Sequence, residues 1–406
     1  MSRKPIGDIA AGRLGAAQLA RNFEDLAPPL DRHNALLEAQ RCYYCYDAPC
    51  ITACPTGIDI PSFIRRITSG NLQGAATDIL SANILGGTCA RVCPTEVLCE
   101  AACVRNDAED KPVEIGALQR HATDWVYRDG AQLFQREPDS GRTVAVIGAG
   151  PAGLSCAHAL ARRGHRVRIY EARPRPGGLN EYGIAAYKVP GFAQREIEWL
   201  LSIGGIEVEH GRTLGRNLAL GALRREHDAV FLGLGLAGVN ALGLDGEQLA
   251  GVRNAVDFIA ELRQCADLAT LPVGRRVVVI GGGNTAIDAA VQSRRLGAER
   301  VTLVYRRGPG DMGATAHEQA FAQAEGVAVV HWARPLRFVA RDGQLAAVEF
   351  EYTALDAGGK LVGSGDHFSL EADSVLTAIG QVLVADPLRD GAHESLALRN
   401  GRIVVD

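Results

Sequence analysis

The sequence predicts an α/β protein: a small α-helical domain followed by two nested parallel-sheet domains built on one plan. Three observations predict it. Eight of the ten cysteines crowd into residues 42–103, a stretch that lacks the Val/Ile-rich runs of a parallel sheet. The apolar runs at 144–147 and 277–280 each open directly onto a glycine cluster, as a buried strand does where it turns into a helix. Two further apolar runs, 229–235 and 374–380, end in glycine and suit the crossovers by which one such domain is inserted into another.

At 406 residues the chain is long enough for two or three domains, each with its own core. Its formal charge of -4, from 43 Lys+Arg against 47 Asp+Glu, leaves no basic surplus to hold nucleic acid or an anionic lipid surface. No apolar run reaches the ~18 residues of a membrane span. Asp8, Arg13, Arg21 and Glu24 interrupt the segment where the apolar core of a signal peptide would lie. A cytoplasmic protein without nucleic-acid or membrane partner is expected.

In chain order, residues 35–127 read as short helices between cysteine loops, with a helix start at Asp59 and Pro61 and another at Asn71, before a helical stretch 72–80. The polar linker EPDSGR, with Pro138 and Gly141, separates this region from the first strand. The expected boundaries are 1–135 for the helical domain, 141–245 with 372–406 for the first parallel-sheet domain, and 246–371 for the second.

The first glycine set is Gly148-Ala149-Gly150-Pro151-Ala152-Gly153, after a strand and before a helical segment at 154–163. Gly148 permits the tight turn, Gly150 lets the backbone approach a pyrophosphate, and Gly153 lets helix and strand pack closely. The phosphates then rest on the helix N-terminus. The next strand, 167–170, ends in Glu171, placed where an acid takes ribose hydroxyls. This is the fingerprint of a Rossmann-like dinucleotide-binding domain. Gly177-Gly178-Leu179 follows the acid, as is common where the ligand is FAD.

The second set, Gly281-Gly282-Gly283-Asn284-Thr285-Ala286, keeps the plan, with Ala286 in the third small position. Its next strand, 301–304, ends in Tyr305-Arg306-Arg307 instead of an acid. Arginine there meets a 2′-phosphate, which leans toward NADP over NAD; a solvated arginine pair at a strand end is the plain alternative. Gly380, closing the run at 374–380, completes the expected cofactor-binding glycines.

The cysteines form two quartets, Cys42-x2-Cys45-x4-Cys50-x3-Cys54 and Cys89-x3-Cys93-x5-Cys99-x3-Cys103, with Pro55 and Pro94 after Cys54 and Cys93. Two 4Fe-4S clusters need about eight soft ligands. Zinc also accepts four thiolates, but its sites usually pair two-cysteine knuckles, and a proline after the fourth cysteine is a ferredoxin trait in which that cysteine serves the other cluster. Interleaved quartets are therefore expected. Cys156 and Cys265 stand apart and read as small buried apolar side chains.

With both quartets and both glycine loops in hand, residues 35–406 resemble the electron-input half of dihydropyrimidine dehydrogenase, in particular the separate small subunit of the bacterial NAD(P)-dependent enzyme. The resemblance is carried by CYYCYDAPCITACPTGIDIPSFIR, NILGGTCARVCPTEVLCEAAC, IGALQR, VIGAGPAGLSCA, GGLNEYGI and IGGGNTAIDAA. The glutamate synthase small subunit is a more distant relative of the same layout. In the family the near cluster is held by the first three cysteines of the first quartet and the last of the second, which implies Cys42, Cys45, Cys50 and Cys103 here. The other set is implied to be Cys54, Cys93, Cys99 and Gln119 of IGALQR. That leaves Cys89 a bystander, where spacing alone would choose it.

The resemblance further implies FAD at the first loop, NAD(P)H at the second, and a separate partner in which an FMN barrel holds the pyrimidine, the two chains forming a hetero-oligomer. The overall reaction would be NAD(P)H-dependent reduction of uracil or thymine. Relatives continue past the position of GRIVVD through a glycine-aspartate segment that contacts FAD, so an incomplete flavin domain with loosely held FAD is expected. Hydride transfer requires nicotinamide and flavin rings face to face at about 3 to 3.5 Å, and the chemistry belongs to the cofactors, so no catalytic acid–base residue is assigned. Two rivals stand beside this reading. A glutamate synthase small subunit would serve a very large amidotransferase partner, and a non-catalytic scaffold stapled by zinc would lack the brown colour and dye reduction of an iron–sulfur flavoprotein.

Overall fold

The computed structural model describes residues 8–388 and 396–405; Asp406, the end point in the expectation of an incomplete flavin domain, lies outside them. The chain packs as two units. One combines Ala27–Glu181 and Gly191–Ala237 with residues 383–388 and 396–405, and the other combines residues 8–26, Tyr182–Pro190 and Gly238–Val382. The first helix, α1 (Ala16–Asn22), belongs to the second of these units.

The first unit begins with a helical region: α2 (Arg32–Gln40), α3 (Pro49–Ala53), α4 (Ile60–Thr68), α5 (Leu72–Ala82), α6 (Gly86–Val92), α7 (Arg105–Glu109) and α8 (Ile115–Asp129). Both expected helix starts are present, because a side-chain oxygen meets an otherwise unpaired backbone N–H in the first turn. Asp59 accepts from Ser62 N at 3.1 Å to open α4, and Asn71 accepts from Gly74 N at 2.8 Å to open α5. The core between these helices comes from Phe63 and Ile64, Ala75 and Ile79, and Leu118 and Ala122.

The same unit continues through β1 (Thr143–Ile147), α9 (Pro151–Arg162), β2 (Arg166–Glu171), α10 (Leu179–Tyr182), α11 (Ala193–Leu201), β3 (Ile206–His210), α12 (Leu220–Glu226) and β4 (Ala229–Leu232). The strands form a parallel sheet of order β3-β2-β1-β4. Leu154 and Ala157 of α9 pack with Val146 and Ile169, while Leu223 of α12 packs with Ala145 and Ile147, which alternate to the other face.

The second unit holds β5 (Gly238–Val239), β6 (Val252–Asn254), α13 (Ala255–Gln264), β7 (Arg276–Ile280), α14 (Asn284–Arg295), β8 (Arg300–Val304), α15 (Ala316–Ala324) and β9 (Val327–Val330). The antiparallel β10 (Ala333–Arg341), β11 (Gln344–Leu355) and β12 (Leu361–Glu371) follow, then β13 (Ser374–Thr377) and β14 (Gln381–Val382). The parallel order is β6-β13-β7-β8-β9. In the first unit, β15 (Leu398–Arg399) and β16 (Arg402–Ile403) form a hairpin, and Ile403 packs beside Leu223.

Three expected boundaries are corrected. Residues 374–377 do not belong to the first sheet: β13 pairs with β7 on one side and β6 on the other, and all four of its residues are buried in the second sheet. Residues 8–26 are not part of the helical domain, because Leu19 and Phe23 join the core of Phe258 and Leu296, and Asn22 donates to Arg295 O at 2.7 Å. Residues Tyr182–Pro190 also leave the first sheet domain. Tyr187 is wholly buried in the second unit, and Lys188 Nζ lies 2.9 Å from Asp288 and 2.7 Å from Glu318. Among the described residues no helix is long and apolar enough to cross a membrane.

Candidate cofactor and metal-cluster sites

The glycines of the first loop are required for different reasons. Gly148 has φ +98°, and a Cβ on it would lie 2.4 Å from Gly233 O; one on Gly153 would lie 1.9 Å from Gly148 O. These two glycines serve the fold. A Cβ on Gly150 would meet only Gly178 Cα, at 3.8 Å, so its small size leaves space outside the protein's own packing, as approach to a pyrophosphate requires. Gly178 closes against Gly150, where its own Cβ would lie 2.7 Å from Gly150 Cα. Glu171 is buried and accepts from Ala149 N at 2.7 Å and Arg173 N at 2.8 Å, holding a carboxylate at the loop.

The second loop repeats the first in register. Gly148 N donates to Tyr170 O at 2.8 Å and Gly281 N to Val304 O at 3.1 Å, each glycine following the strand residue paired with its acceptor. Glu171 and Tyr305 therefore occupy equivalent positions. Where the first loop has a carboxylate, the second has a phenol ring so close to Gly282 that a Cβ there would lie 2.5 Å from it; Tyr305 OH donates to Asp311 O at 2.8 Å.

Gly281, at φ +153°, packs on Ala378, and Ala286 is buried under the strand, whereas nothing lies within 4 Å of a Cβ on Gly283. Asn284 and Thr285 begin α14. Arg306 and Arg307 are exposed, with their carbonyls pinned by Thr353 Oγ1 at 2.8 Å and Trp332 N at 3.1 Å. Gly380, at φ +100°, accepts from Asn240 N at 3.1 Å just beyond β13, the strand paired with β7 of the second loop.

The cysteines surround two cavities. Cys42, Cys45, Cys50 and Cys103 line one. Cys54, Cys93, Cys99 and Gln119 line the other, and Cys89 lines it too. The interleaving follows from local geometry. Cys50 and Cys54 stand at i and i+4 across α3, and Cys99 and Cys103 have the same spacing, so each pair gives one sulfur to each cavity.

Burial pushes the thiol of Cys50 up to about 11 and that of Cys99 up to about 12, so a thiolate here calls for a cationic partner. Among the described residues no group of three or more His, Cys, Asp or Glu is gathered as a single-ion site.

Cys89 differs from its neighbours. The neighbouring Cys93 and Gln119 side chains lower its pKa, while Cys89 in turn raises that of Cys93. Gln119 Nε2 also donates to Gly86 O at 2.8 Å, which leaves Oε1 as the atom able to reach a cluster. Cys89 is thus no distant bystander but shares the cavity with Gln119. Cys156 and Cys265, read as buried, are only half-buried, and Cys265 Sγ donates to Asp267 O at 3.1 Å.

A buried carboxylate, unmarked in the sequence, joins the cluster helices to the first sheet. Glu196 of α11 is 1% exposed; its Oε1 accepts from Gly87 N at 2.9 Å, Thr88 N at 3.0 Å and Tyr127 OH at 3.1 Å, and its Oε2 from Thr88 Oγ1. Burial raises its pKa, and the Thr88 hydrogen bonds oppose the rise. The Cys54 cavity is lined in part by α6, which contacts α11, and the Cys42 cavity is walled by Tyr43, 53% exposed.

Two glycine-loop domains joined to a thiol-lined helical domain define an NAD(P)-dependent iron–sulfur flavoprotein oxidoreductase. Residues 19–131 match the family described as dihydropyrimidine dehydrogenase domain II, 4Fe-4S cluster, and residues 142–406 match the pyridine nucleotide-disulphide oxidoreductases. The chain belongs to the family that contains the dihydropyrimidine dehydrogenase subunit PreT and, more distantly, the glutamate synthase small chains. It is 36% identical over 360 residues to the NAD-dependent dihydropyrimidine dehydrogenase subunit PreT of Salmonella typhimurium, covering 88% of this chain and 83% of that one. It is 33% identical over 375 residues to the glutamate synthase [NADPH] small chain of Halomonas elongata, covering 89% and 79%. FprA of Mycobacterium tuberculosis, solved in complex with NADPH, shares the fold at TM-score 0.51 and 20% identity over 61% of this chain and 71% of that chain.

Proposed function

We propose that this chain is the electron-input subunit of a dihydropyrimidine dehydrogenase. In this reading it oxidises NAD(P)H at FAD and passes the electrons singly, through two 4Fe-4S clusters, to a separate FMN barrel subunit. There uracil or thymine is reduced to the 5,6-dihydropyrimidine. The observation that supports the reading is the pair of cavities lined by interleaved cysteines, in one packed unit with the sheet that bears the first glycine loop.

Gly148, Gly150, Gly153 and Gly178 would seat the FAD pyrophosphate, with Glu171 on the ribose hydroxyls. Gly281, Gly283, Asn284, Thr285 and Ala286 would seat NAD(P)H, and Arg306 and Arg307 would meet a 2′-phosphate. Gly380 would border that second site. Cys42, Cys45, Cys50 and Cys103 would hold one cluster, and Cys54, Cys93, Cys99 and Gln119 the other. When bound, flavin accepts a hydride and iron–sulfur clusters carry single electrons. The protein's part is to position these groups, keep water from them and tune their potentials through burial and hydrogen bonds. The assembly is a cytoplasmic hetero-oligomer in this reading.

The test is an assay of the holo-chain alone and with its partner. Alone it should reduce one-electron dyes with NAD(P)H and leave uracil untouched; uracil turnover should begin only when an FMN subunit is added. Uracil reduction by the pure chain would refute the division of labour. Stimulation of glutamine plus 2-oxoglutarate turnover by a large amidotransferase subunit, with none of uracil reduction, would move the chain to the branch represented by the Halomonas relative.

A further inference from the structure

Ile60 lines both thiol cavities and is 2% exposed. Its neighbours divide between them: Ile58 faces only the cavity of Cys54, and Ile64, one turn later on α4, only the cavity of Cys42. The same division recurs at the start of α8, where Ile115 lines one cavity and Gly116 the other. Across α3, Cys50 and Cys54 fix the spacing, since four residues of helix rise about 6 Å. A gap set by one helical turn is about the width of a single aliphatic side chain, and Ile60 supplies it.

We infer that Ile60 is the positioning residue that separates and couples the two clusters, a dry wall common to both. The inference rests on the two-cluster reading above. A four-iron cluster becomes more negative on reduction, and an apolar wall withholds the water that would stabilise that charge. The low local dielectric also makes each cluster feel the other's charge. Water in place of the side chain would stabilise the reduced form on both sides, so both potentials would rise together. A residue that faces one cavity would move one potential.

The experiment is an anaerobic redox titration of the holoprotein followed by electron paramagnetic resonance, with iron content measured on each sample. Ile60→Ala should raise both midpoint potentials at an iron content near eight per chain. Ile58→Ala should raise only that of the Cys54 cluster, and Ile64→Ala only that of the Cys42 cluster. Ile60→Leu, which keeps the volume, should restore both. Should Ile60→Ala lose iron, Ile60→Val, one methyl smaller, is titrated in its place. A shift in one cluster or neither, with iron retained, overturns the inference. Wild-type protein with iron near four per chain would overturn the two-cluster reading and the shared wall with it.

Discussion

Gly150 and Gly153 sit three residues apart in different surroundings, one beside open space and the other against the loop's own carbonyl. That distinction was legible in the sequence because it is local. Arg306 and Arg307 lie exposed just beyond β8. If they read a 2′-phosphate, replacing both with Ala should raise KM for NADPH roughly tenfold or more relative to NADH, the worth of a charge-assisted contact. Equal effects on the two nucleotides would return them to the solvated surface. The make-up of the two cysteine-lined cavities was only partly legible. Spacing set out two quartets, but Cys89 and Gln119 meet in one cavity only because α6 and α8 pack together. With Gln119 as ligand, Cys89→Ser should keep iron near eight per chain, whereas Cys54→Ser or Cys93→Ser should lose one cluster. If Cys89→Ser loses a cluster as well, Gln119 is only a hydrogen-bond partner.

At the scale of elements, α6 is short and begins without a cap of its own; Glu196, more than a hundred residues downstream, accepts from its first N–H groups instead. In the sequence QREIEWL that glutamate reads as a surface residue of an amphipathic helix, since nothing local announces a partner so distant. Its pKa is raised by burial above the ordinary carboxylate value of 4.5. The folded state thus holds this proton more tightly than the unfolded state, and the stability linked to it is lost as pH rises through the raised pKa. Glu196→Gln keeps an acceptor oxygen without that proton. The melting temperature of wild type should therefore fall relative to Glu196→Gln as pH rises above about 4.5. A constant difference across that range would mean that the carboxyl does not titrate there. β13 carries the complementary lesson: the run at 374–377 announced a strand, but which sheet receives a strand is decided by pairing across a hundred residues and is invisible in its own four letters.

For the whole molecule, the two units are built from alternating stretches of chain, and the N-terminal stretch belongs with the second glycine loop. Burying Leu19 and Phe23 in that core ties α1 to α13 and α14. Truncating both to Ala should cost about 2 to 5 kcal/mol at each site. The damage should appear as weaker NAD(P)H binding and a lower melting temperature, with iron and flavin content unchanged; loss of iron instead would place α1 with the helical domain after all. This arrangement also bears on synthesis at the ribosome. Asn22 and its acceptor Arg295 are separated by 273 residues, and at roughly 5–20 residues per second α1 emerges about 14 to 55 s before its docking site exists. During that interval Leu19 and Phe23 have no native core to enter, so the nascent chain exposes these two apolar side chains while the helices behind them can already collapse. Rapid translation, or a chaperone that shields the first thirty residues, would shorten the exposure and raise the yield of correctly assembled protein.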